Sequence, residues 1–472
     1  MIPSQAGGAT PGPLSVAGAS ASTVQLPGST DLIGLHALAP ERYPFLLQSL
    51  GGAAALGRFD ILFAFPGTML TLDAALRLRG APAAAGSDFL AAFDHWWLAE
   101  RSAGPGADLP FTGGWFLVLG YELAQQVEPS VVLPTEPVLP VAQAVRIPAA
   151  VIHDHLTGAT TAVAETGHEA LLAEIVADTA RVADIAPTAG DESLLPAGSC
   201  IEDDPARFLQ AVGRAAQYIA RGDVYQVNLS RQWCGVLAAD YPAWQVYARL
   251  RRTNPSPFAG LARFGDAWIL SSSPERLVEV RGTQVRTRPI AGTRPRGSGA
   301  VDAARRTELA ANDKERAEHV MLIDLERNDL GRICEAGSVQ VEDFMTIESY
   351  AHVHHIVSGI GGVLLPGTGP GTVLRAVFPG GTITGCPKVR SLEIIRELEG
   401  RPRGPYTGSM GYVNHDGSCD FNILIRSIAL QGNTWRACAG SGIVADSIAA
   451  RELEETRAKA RGMLLALQAG EG

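Results

Sequence analysis

Strand-like segments follow one another closely in the middle of this chain, and they restrict the fold more than any other feature. The runs VYQVNLSRQW (224–233), AWILSSS (267–273), ERLVEVRG (275–282) and TQVRTRPIAGT (283–293) read as strands separated by turn residues. A further strand-like run, YAHVHHIVSGIGG (350–362), comes only after a long helix-like segment. The pattern predicts a mixed helix-and-strand fold with many non-local strands.

The sequence divides into three parts. Residues 1–29 are rich in Ala, Gly, Ser and Pro and carry no charged side chain, which predicts a disordered leader. A region over 30–190 mixes the strand patterns RFDILFAF and GGWFLVLGYELA with the helix pattern SDFLAAFDHWWLAE. A Pro/Ala/Gly-rich stretch near 185–200 marks a boundary. The region over 200–468 then opens with a helix that Asp203 or Asp204 can cap, with Pro205 in its first turn.

Composition argues against several classes of function. The 472 residues carry a net charge of −10, so a general affinity for nucleic acid is not expected, and an anionic ligand would need a local cluster of basic groups. The six cysteines are scattered with no CxxC pair, which favours reduced thiols over a disulfide scaffold or a zinc site. No apolar run reaches the ~18 residues of a membrane span, and no secretory signal is visible. The chain is therefore expected to be cytoplasmic, with no membrane partner.

Two helix-like segments each carry a Glu-x-x-Glu pair, Glu315/Glu318 in KERAEH and Glu452/Glu455 in ELEETRAK. Residues three apart share one face of a helix, so each pair could offer two carboxylates to one hard cation such as Mg²⁺. The alternative is ordinary surface pairing, for example of Glu455 with Lys459 at i,i+4. The pattern alone favours the surface pairing.

Two glycine-rich segments are candidates for holding an anion. FPGGTITGCPKVRSLEII leads into a helix, and its backbone N–H groups together with Lys388 could hold a carboxylate or phosphate. Gly440, Ser441 and Gly442 in CAGSGIVAD could approach a ligand closely and donate backbone hydrogen bonds. Turns of purely structural importance remain the alternative for both.

Histidine and glutamate side chains supply candidate acid–base groups. In HVHHIVSG, strand alternation places His352 and His354 on one face and His355 on the other, and no further metal ligands accompany them. One histidine acting as acid, base or hydrogen-bond donor is therefore favoured over a zinc cluster. Glu275 in SPER follows a strand, where desolvation could keep a carboxyl protonated as a general acid, although an exposed pair with Arg276 is the simpler interpretation.

Many segments of the chain together resemble the chorismate-utilising enzymes, which include the component I subunits of anthranilate synthase and aminodeoxychorismate synthase and the isochorismate and salicylate synthases. In chain order these segments are GDVYQVNLS, SPER, RPIAGTRPRG, HHIVS, GTITGCPKVRSLEII, GYVNHDG, ILIRS, AGSGIVADS and EETRAKA. The resemblance covers residues 200–465 strongly and the preceding region more faintly. It implies an α+β fold of two facing antiparallel β-sheets with helices outside and an active site between the sheets.

The resemblance also implies a role for individual residues. Glu318 and Glu455 match Mg²⁺ ligands, with Glu315 and Glu452 close by. Glu275 matches the acid that protonates the departing C4 hydroxyl of chorismate, and His355 matches the active-site histidine. The residues that match substrate-binding positions are Lys388, Tyr412, Arg426, Gly440, Ser441, Gly442 and Thr293. Because chorismate is a dianion, an acid, a metal-held carboxylate and a dry pocket suit loss of its allylic hydroxyl.

The nucleophile and the product follow from a few positions. Relatives that use water have a lysine base where this chain has Gln226, and an amide cannot deprotonate water, so ammonia is expected. The chain shows no glutaminase cysteine motif, which implies a separate glutamine amidotransferase subunit. At the position where many aminodeoxychorismate synthases have a lysine, this chain has Ala291, which resembles the anthranilate synthases. The segments around Asn228 and Asn422, in contrast, are more similar to aminodeoxychorismate synthase.

The sequence prediction is therefore amination of chorismate at C4 to 4-amino-4-deoxychorismate, which leads to p-aminobenzoate and folate. Two alternatives stay open, namely anthranilate synthesis for tryptophan and an inactive regulatory paralogue that binds chorismate. Residues of a tryptophan pocket in both families are matched by Ser49 in LLQS and by Pro257, Phe258 and Ala259 after NPS. Gln48 replaces the usual glutamate of that pocket, so tryptophan is a possible rather than a required ligand.

Overall fold

The computed structural model of the protein describes residues 21–28, 30–50, 57–80, 88–102, 109–182, 193–196, 198–238, 241–349 and 353–468. Its strands are β1 (Ser22–Leu26), β2 (Phe45–Gln48), β3 (Phe59–Ala64), β4 (Met69–Leu72), β5 (Leu78–Gly80), β6 (Gly114–Leu119), β7 (Ala142–Ile147), β8 (Ala149–Asp154), β9 (Ala159–Ala164), β10 (Ile201–Glu202), β11 (Gln226–Val236), β12 (Phe258–Phe264), β13 (Ala267–Ser273), β14 (Arg276–Arg281), β15 (Gln284–Thr287), β16 (Ile290–Pro295), β17 (Gln340–Ser349), β18 (Val353–Val363), β19 (Gly385–Cys386), β20 (Ser409–Asn414), β21 (Cys419–Asn422), β22 (Ser427–Gln431) and β23 (Thr434–Ile443).

Its α-helices are α1 (Leu32–Leu38), α2 (Phe89–Glu100), α3 (Ala124–Val127), α4 (Ala170–Val182), α5 (Pro205–Ala220), α6 (Ala243–Thr253), α7 (Ala300–Ala311), α8 (Asp313–Gly331), α9 (Pro370–Val377), α10 (Lys388–Glu399) and α11 (Ala449–Leu467). Within the described ranges, none of these helices has the length and apolar character that crossing a membrane requires.

The strands form two antiparallel sheets. The larger has the order β1-β9-β8-β3-β2-β12-β13-β22-β23-β11-β10, with β19 also pairing with β11. The smaller has the order β16-β18-β15-β14-β21-β20-β6-β7-β4-β5, with β17 also pairing with β18. The α+β class with two antiparallel sheets is thereby confirmed.

Side-chain alternation brings the two sheets face to face. Phe45 of β2 and Phe63 of β3, in the larger sheet, are buried in one apolar cluster with Phe116 and Val118 of β6, in the smaller sheet. The rings of Phe45 and Phe116 are stacked with centroids 4.2 Å apart. Because successive strand residues point to opposite faces, the neighbours of these residues turn outward.

The outward faces are covered by helices. Trp115 of β6 packs against α2, where the rings of Phe93 and Trp96 meet it edge-on at 5.8 and 5.7 Å. On the far side of the larger sheet, Leu62 of β3 belongs to a cluster that includes Met463 of α11. The predicted arrangement of helices outside two facing sheets is therefore observed.

The start of α5 agrees with its sequence signals. The Oδ1 atom of Asp204 accepts a hydrogen bond from the Ala206 N–H at 2.9 Å, and Pro205 begins α5, as predicted. The predicted disordered leader is wrong over Ser22–Leu26, because β1 pairs with β9 there, while residues 1–20 lie outside the described ranges.

The two regions on either side of the predicted boundary share both sheets. Gln48 of β2 lies opposite Ala259 of β12, and Leu119 of β6 lies opposite Ser409 of β20. In each sheet a block of strands from 30–190 continues a block from 200–468, so neither region has a sheet of its own.

Candidate active site

The two Glu-x-x-Glu pairs lie on α8 and α11. Asn312 caps α8 by accepting a hydrogen bond from the Glu315 N–H at 3.0 Å. Glu318, one turn further along, accepts a hydrogen bond from Gln226 Nε2 at 2.8 Å. The charge of Glu455 on α11 is one of the groups that raise the pKa of Glu318. The structure therefore brings carboxylates of the two helices together.

Burial and neighbouring charge act differently on the two central glutamates. Desolvation, followed by the charge of Glu315, raises the pKa of Glu318 to about 7. Desolvation acts to raise the pKa of Glu455 too, although its side chain is 48% exposed, but Lys459 together with Ser441 and Arg426 outweighs it and the net shift is downward. The Lys459 Nζ atom lies 2.6 Å from Glu455 Oε1 and donates to the Gly440 carbonyl at 3.0 Å. Lys459 is thus a central cation that the sequence interpretation treated only as a surface partner.

The outer members of the two pairs are held by other side chains. Glu315 Oε1 lies 3.1 Å from Arg294 Nη1. Glu452 is buried and accepts a hydrogen bond from the Ser441 hydroxyl. Glu318 and Glu455 act on each other's charge across the two helices, and each also has a partner of its own, Gln226 and Lys459 respectively.

The chemistry of this pair fits a hard divalent cation. Mg²⁺ is commonly held by one or two carboxylates together with substrate oxygens and water. A cation between Glu318 and Glu455 would relieve the desolvation that holds the first carboxyl partly protonated. Among the described residues, no three His, Cys, Asp or Glu side chains form a ready-made metal cage, so substrate and water would have to complete the coordination.

The glycines of β23 leave room for two amide side chains of β11. A Cβ atom on Gly440 would lie 2.6 Å from Asn228 Oδ1, and one on Gly442 would lie 2.3 Å from Gln226 Nε2. The amide oxygens of both side chains are buried and accept no hydrogen bond from any described residue. Buried acceptors without donors are rare, so they indicate a place where a ligand supplies N–H or O–H groups.

Glu275 lies in the turn between β13 and β14. Its carbonyl accepts from the Ile423 N–H at 3.0 Å, and its N–H approaches the Ser273 hydroxyl at 3.2 Å, which fixes the backbone. Desolvation raises the pKa of the Glu275 carboxyl to about 7, and its buried Oε1 accepts no hydrogen bond from the described part of the chain. Such a carboxyl can carry a proton at neutral pH and donate it to a ligand.

His355 and the segment Ala291-Gly292-Thr293 lie beside the glutamates. His355 Nδ1 lies 3.3 Å from the Gly292 carbonyl, and burial lowers the pKa of His355 to about 4, so the ring is neutral near pH 7. Gly292 has a positive φ of 63°, and a Cβ on it would lie 2.9 Å from Glu315 Oε2. The Thr293 backbone pairs with His355, while its side chain is outside the described set. A glycine is therefore needed where β16 passes α8.

The histidine pattern follows the predicted alternation as far as it is described. His354 faces away from His355 and contacts Asp302 Oδ1 at 3.0 Å and the Ser349 hydroxyl at 2.7 Å. His352 lies outside the described residues. His355 is the histidine that the structure brings to the glutamates.

The arginine of the site is Arg426, and its tyrosine neighbour is Tyr406. Arg426 Nη1 donates to the Lys459 carbonyl at 2.5 Å, and burial lowers the pKa of the guanidinium. Tyr406 interacts electrostatically with Arg426, and its hydroxyl lies 2.7 Å from where a Cβ on Gly440 would be. An arginine that is only partly exposed and has this little compensation is ready to bind an anion.

Tyr412, the tyrosine selected from the sequence, lies elsewhere. It lines a different cavity, together with Arg276, Arg281 and Asp420, and no described contact joins it to Arg426. Tyr406, and not the predicted Tyr412, therefore lies beside Arg426 in this structure. The two tyrosines are six residues apart in GPYTGSMGYV, and the turn between them decides which faces the site.

Lys388 begins α10 as predicted, but its ammonium is already engaged. Its Nζ lies 2.7 Å from Asp329 Oδ2, and the two side chains are 9% and 5% exposed. Its expected role of holding substrate is not supported by this geometry, because the pair would have to break first. Lys314 likewise pairs with Asp446 at 3.2 Å, which leaves Lys459 as the chain's lysine among the site carboxylates.

The residues matched to a tryptophan pocket line a separate cavity of about 590 Å³. Ser49, Pro257, Phe258 and Ala259 all contribute to its wall. Gln48 also lines it, but its Nε2 donates to Asp60 at 2.8 Å and its Oε1 accepts from the Tyr247 hydroxyl at 3.0 Å. Both ends of the Gln48 amide are therefore engaged within the protein.

Comparisons with known proteins show what the chain is similar to. A family model described as chorismate binding enzyme matches residues 67–465. The chain is 41% identical over 362 residues to the anthranilate synthase component I-like protein of Synechocystis, covering 76% of this chain and 74% of that protein. It is 50% identical over 265 residues to aminodeoxychorismate synthase component 1 of Bacillus subtilis, covering 56% of each chain.

A solved structure gives the same result for the fold. Anthranilate synthase component I from Streptococcus pneumoniae superposes with a TM-score of 0.76 at 32% identity, covering 86% of this chain and 92% of that one. The match includes both sides of the predicted boundary.

Proposed function

Because this chain belongs to the chorismate-binding enzyme family, we propose that it aminates chorismate at C4 with ammonia, giving 4-amino-4-deoxychorismate for p-aminobenzoate and folate synthesis. The observation that carries the choice of ammonia is the pair of unpartnered amide oxygens on Gln226 and Asn228. Both lie over the glycines of β23, beside Glu318. Ammonia has hydrogens to donate to such acceptors, and an amide cannot act as the base that water would need.

Glu275 supplies the proton in this proposal. The departing hydroxyl of chorismate leaves as water once protonated, and a carboxyl whose pKa burial raises to about 7 retains its proton for that step. Neutral His355 orients the ring or its leaving group without adding a positive charge. The enclosure of both side chains keeps bulk water from competing with ammonia.

The substrate carboxylates are held at two places. Arg426 and Tyr406 bind one carboxylate, which satisfies the desolvated guanidinium, and the backbone N–H groups around Gly440–Gly442 assist. Glu318 and Glu455 would hold Mg²⁺, which neutralises the ring carboxylate when bound. Lys459 then has to exchange its contact with Glu455 for one with substrate or solvent.

The position of attack distinguishes the leading proposal from a second candidate. Asn228, in the segment similar to aminodeoxychorismate synthase, lies in the site, and the Bacillus aminodeoxychorismate synthase is 50% identical over 265 residues. Ala291 favours anthranilate synthesis, because it is buried in β16 opposite Ile356 and offers no nucleophile at the position of the lysine. Anthranilate synthesis is therefore kept as the second candidate.

An external source of ammonia and a possible regulator complete the proposal. A glutamine amidotransferase subunit would deliver ammonia, since the sequence carries no glutaminase motif. Tryptophan is proposed as an occupant of the 590 Å³ cavity, with Phe258 and the Ser49 side chain as contacts. Equilibrium binding of tryptophan to the purified chain tests this, and a Ser49→Phe variant that still bound it would contradict the assignment.

One assay decides the reaction. The purified chain is incubated with chorismate, Mg²⁺ and ammonium, and the lyase that releases p-aminobenzoate is then added. Appearance of p-aminobenzoate only after the lyase supports C4 amination, whereas fluorescent anthranilate without the lyase establishes the second candidate. Absence of turnover would favour an inactive regulatory paralogue, against which the juxtaposition of Glu275, Glu318 and Glu455 argues.

A further inference from the structure

A buried ion pair lies behind the candidate active site and has no role in the mechanism above. Glu399 is the last residue of α10, and Arg403 follows four residues later, in the turn before β20. Their side chains are 4% and 1% exposed, and Arg403 Nη2 donates to Glu399 Oε1 at 2.7 Å. Because apolar side chains of similar volume can often fill such a place with no loss of stability, the pair indicates a role other than stability.

The pair lies at a gap along one edge of β11. The other edge of β11 pairs with β23 over its whole length from residue 227. On the edge with the gap, β19 pairs with residues 226–227 and β10 pairs with residues 233–234. In the described structure no strand pairs with residues 228–232 on that edge, so their backbone groups need other partners.

Arg403 and Glu399 supply two of these partners. Arg403 Nη2 donates to the Asn228 carbonyl at 2.8 Å. Glu399 Oε1 accepts from the Ser230 N–H, also at 2.8 Å. The ion pair thus takes the place of a neighbouring strand exactly where β11 carries Asn228, whose side-chain oxygen faces the candidate active site without a partner.

Arg403 uses all of its N–H groups in this place. Besides the two bonds from Nη2, its Nε donates to Glu399 Oε2 at 3.0 Å. Its Nη1 donates to the Ile383 carbonyl in GTITG at 3.1 Å and to the Thr407 hydroxyl at 3.3 Å. A guanidinium has five N–H donors in a fixed plane, whereas a lysine has three on one atom and cannot join the same segments.

The same guanidinium also contacts Tyr406. Arg403 Cζ lies 5.6 Å from the centroid of the Tyr406 ring, and the Tyr406 N–H donates to the Arg403 carbonyl at 3.3 Å. A Cβ atom on Gly440 would lie 2.6 Å from Asn228 Oδ1 and 2.7 Å from the Tyr406 hydroxyl, so these two oxygens face the same place. One buried side chain therefore contacts both residues that border the site there.

We propose that Arg403, held by Glu399, is a positioning residue that sets the Asn228 amide and the Tyr406 hydroxyl at the places where they bind ammonia and a substrate carboxylate. The inference rests on the roles of Asn228 and Tyr406 in the proposed function. All five N–H groups of Arg403 bond to protein atoms, so it acts through these two residues and not on a ligand.

An Arg403→Lys variant tests the inference. The charge is kept, but the contacts with Asn228, Glu399 and Thr407 cannot all be made. The KM for ammonium and the KM for chorismate should each rise by about tenfold, the value of one hydrogen bond to a charged group. The value of kcat at saturation should stay within about twofold, because Glu275 lies in a turn that Arg403 does not contact. Steady-state consumption of chorismate with Mg²⁺ and varied ammonium measures both constants.

Arg231→Lys is the matched control. Arg231 is also on β11 and its side chain is fully buried, but it is held by Asp203, with Nε 3.0 Å from Oδ1 and Nη2 2.8 Å from the carbonyl. This variant should lose stability in denaturant titrations and keep both KM values. Equal rises in KM in the two variants, or unchanged KM values in Arg403→Lys, would refute the positioning role.

A second variant covers a failure of Arg403→Lys to fold. Glu399→Asp keeps the charge but withdraws the carboxylate by one methylene group from Arg403 and from the Ser230 N–H. It should raise the KM for ammonium by about threefold or more. An unchanged KM for ammonium in a folded Glu399→Asp variant overturns the inference.

Equilibrium binding of chorismate with Mg²⁺ and without ammonium separates this inference from the proposed function, since it needs no turnover. Arg403→Lys should bind chorismate about tenfold more weakly than wild type, and Arg231→Lys should bind it as wild type does. A wild type that binds chorismate but never consumes it contradicts the proposed function. A wild type that aminates chorismate, with an Arg403→Lys variant that binds it equally tightly, contradicts the positioning role alone.

Discussion

The candidate active site and the 590 Å³ cavity differ in how their polar groups are satisfied. In the candidate active site, Gln226 Oε1, Asn228 Oδ1 and Glu275 Oε1 are buried and accept no hydrogen bond from the described chain. In the other cavity, Asn422 accepts from the Met410 N–H and donates to the Phe258 carbonyl, both at 3.0 Å. Arg276 likewise holds Asp420 through two bonds of 2.9 and 2.8 Å, although Thr287 Oγ1 and Arg288 Nε in the same wall have no hydrogen-bond partner among the described residues.

This difference teaches how one pair of sheets can support two kinds of site. Polar groups that satisfy one another, as Asn422 and the Arg276–Asp420 pair do, are stable without a ligand, and a ligand beside them adds only packing and a few contacts. Unpartnered acceptors and crowded carboxylates lower the stability of the fold until a ligand binds them, which is the state expected of a catalytic centre. The predictions below contrast the two places.

The largest effect is expected from Glu455→Ala. Removing one carboxylate of the pair proposed for Mg²⁺ should lower Mg²⁺-dependent turnover by about 10³-fold or more, since metal-held charge is worth several kcal/mol in such reactions. Steady-state assays at saturating Mg²⁺ and circular dichroism measure activity and folding. Glu454→Ala, at a 68% exposed neighbouring position, should keep full activity. Equal losses in both variants would contradict the metal assignment.

The next largest effect concerns stability and pH at Glu275. Its folded pKa, about 7, is above its ordinary value of 4.5, so its stabilising contribution is complete below about pH 4.5 and is lost as pH rises through about 7. Glu275→Gln removes that dependence. The difference in unfolding free energy between wild type and variant should therefore shift by on the order of 3 kcal/mol between pH 4.5 and pH 8. Denaturant titrations across this range measure it, and a constant difference would refute the buried acid.

Two asparagines offer a direct contrast between the cavities. Asn422→Ala leaves a buried N–H and a carbonyl unpaired, so the unfolding free energy should fall by about 1–3 kcal/mol while turnover with ammonium is kept. Asn228→Ala, which removes an acceptor without a partner, should lower turnover with little loss of stability. Thermal unfolding and steady-state assays of both variants measure this, and the reverse pattern would break the comparison.

The smallest effect is expected for the tyrosine pair. Tyr406→Phe removes a hydroxyl beside Arg426 and Gly440 and should lower kcat/KM for chorismate by about tenfold, the value of one hydrogen bond to a charged group. Tyr412→Phe should leave kcat/KM unchanged. A larger loss in Tyr412→Phe would restore the sequence-based assignment.

Features set by local chemistry could be predicted from the sequence. The start of α5 at Asp204 and Pro205 follows from capping alone, and the two glutamate pairs follow from helical spacing. The helix α6 was not predicted. Its N-cap position is Pro242, which offers no side-chain hydrogen bond, so the usual start signal is missing.

Features set by tertiary contacts could not be predicted in the same way. Whether Tyr406 or Tyr412 faces the arginine depends on the turn before β20, where Gly404 and Thr407 both have positive φ values, 61° and 62°. Lys388 pairs with Asp329, which lies 59 positions earlier in the chain, and no local sequence pattern predicts that pairing. The role of Lys459 also depends on the convergence of α8 with α11.

The sharing of both sheets by the two regions has a consequence for biosynthesis. On the ribosome, β2 and β6 emerge well before β12 and β20, the strands that complete their hydrogen bonding. Nascent chains stalled in between carry open strand edges, which are prone to aggregation and invite chaperone binding. Cooperative folding of this enzyme is therefore a late event in translation. The yield of folded protein in a cell-free system should rise when holdase chaperones cover those edges until the carboxyl-terminal strands are synthesised.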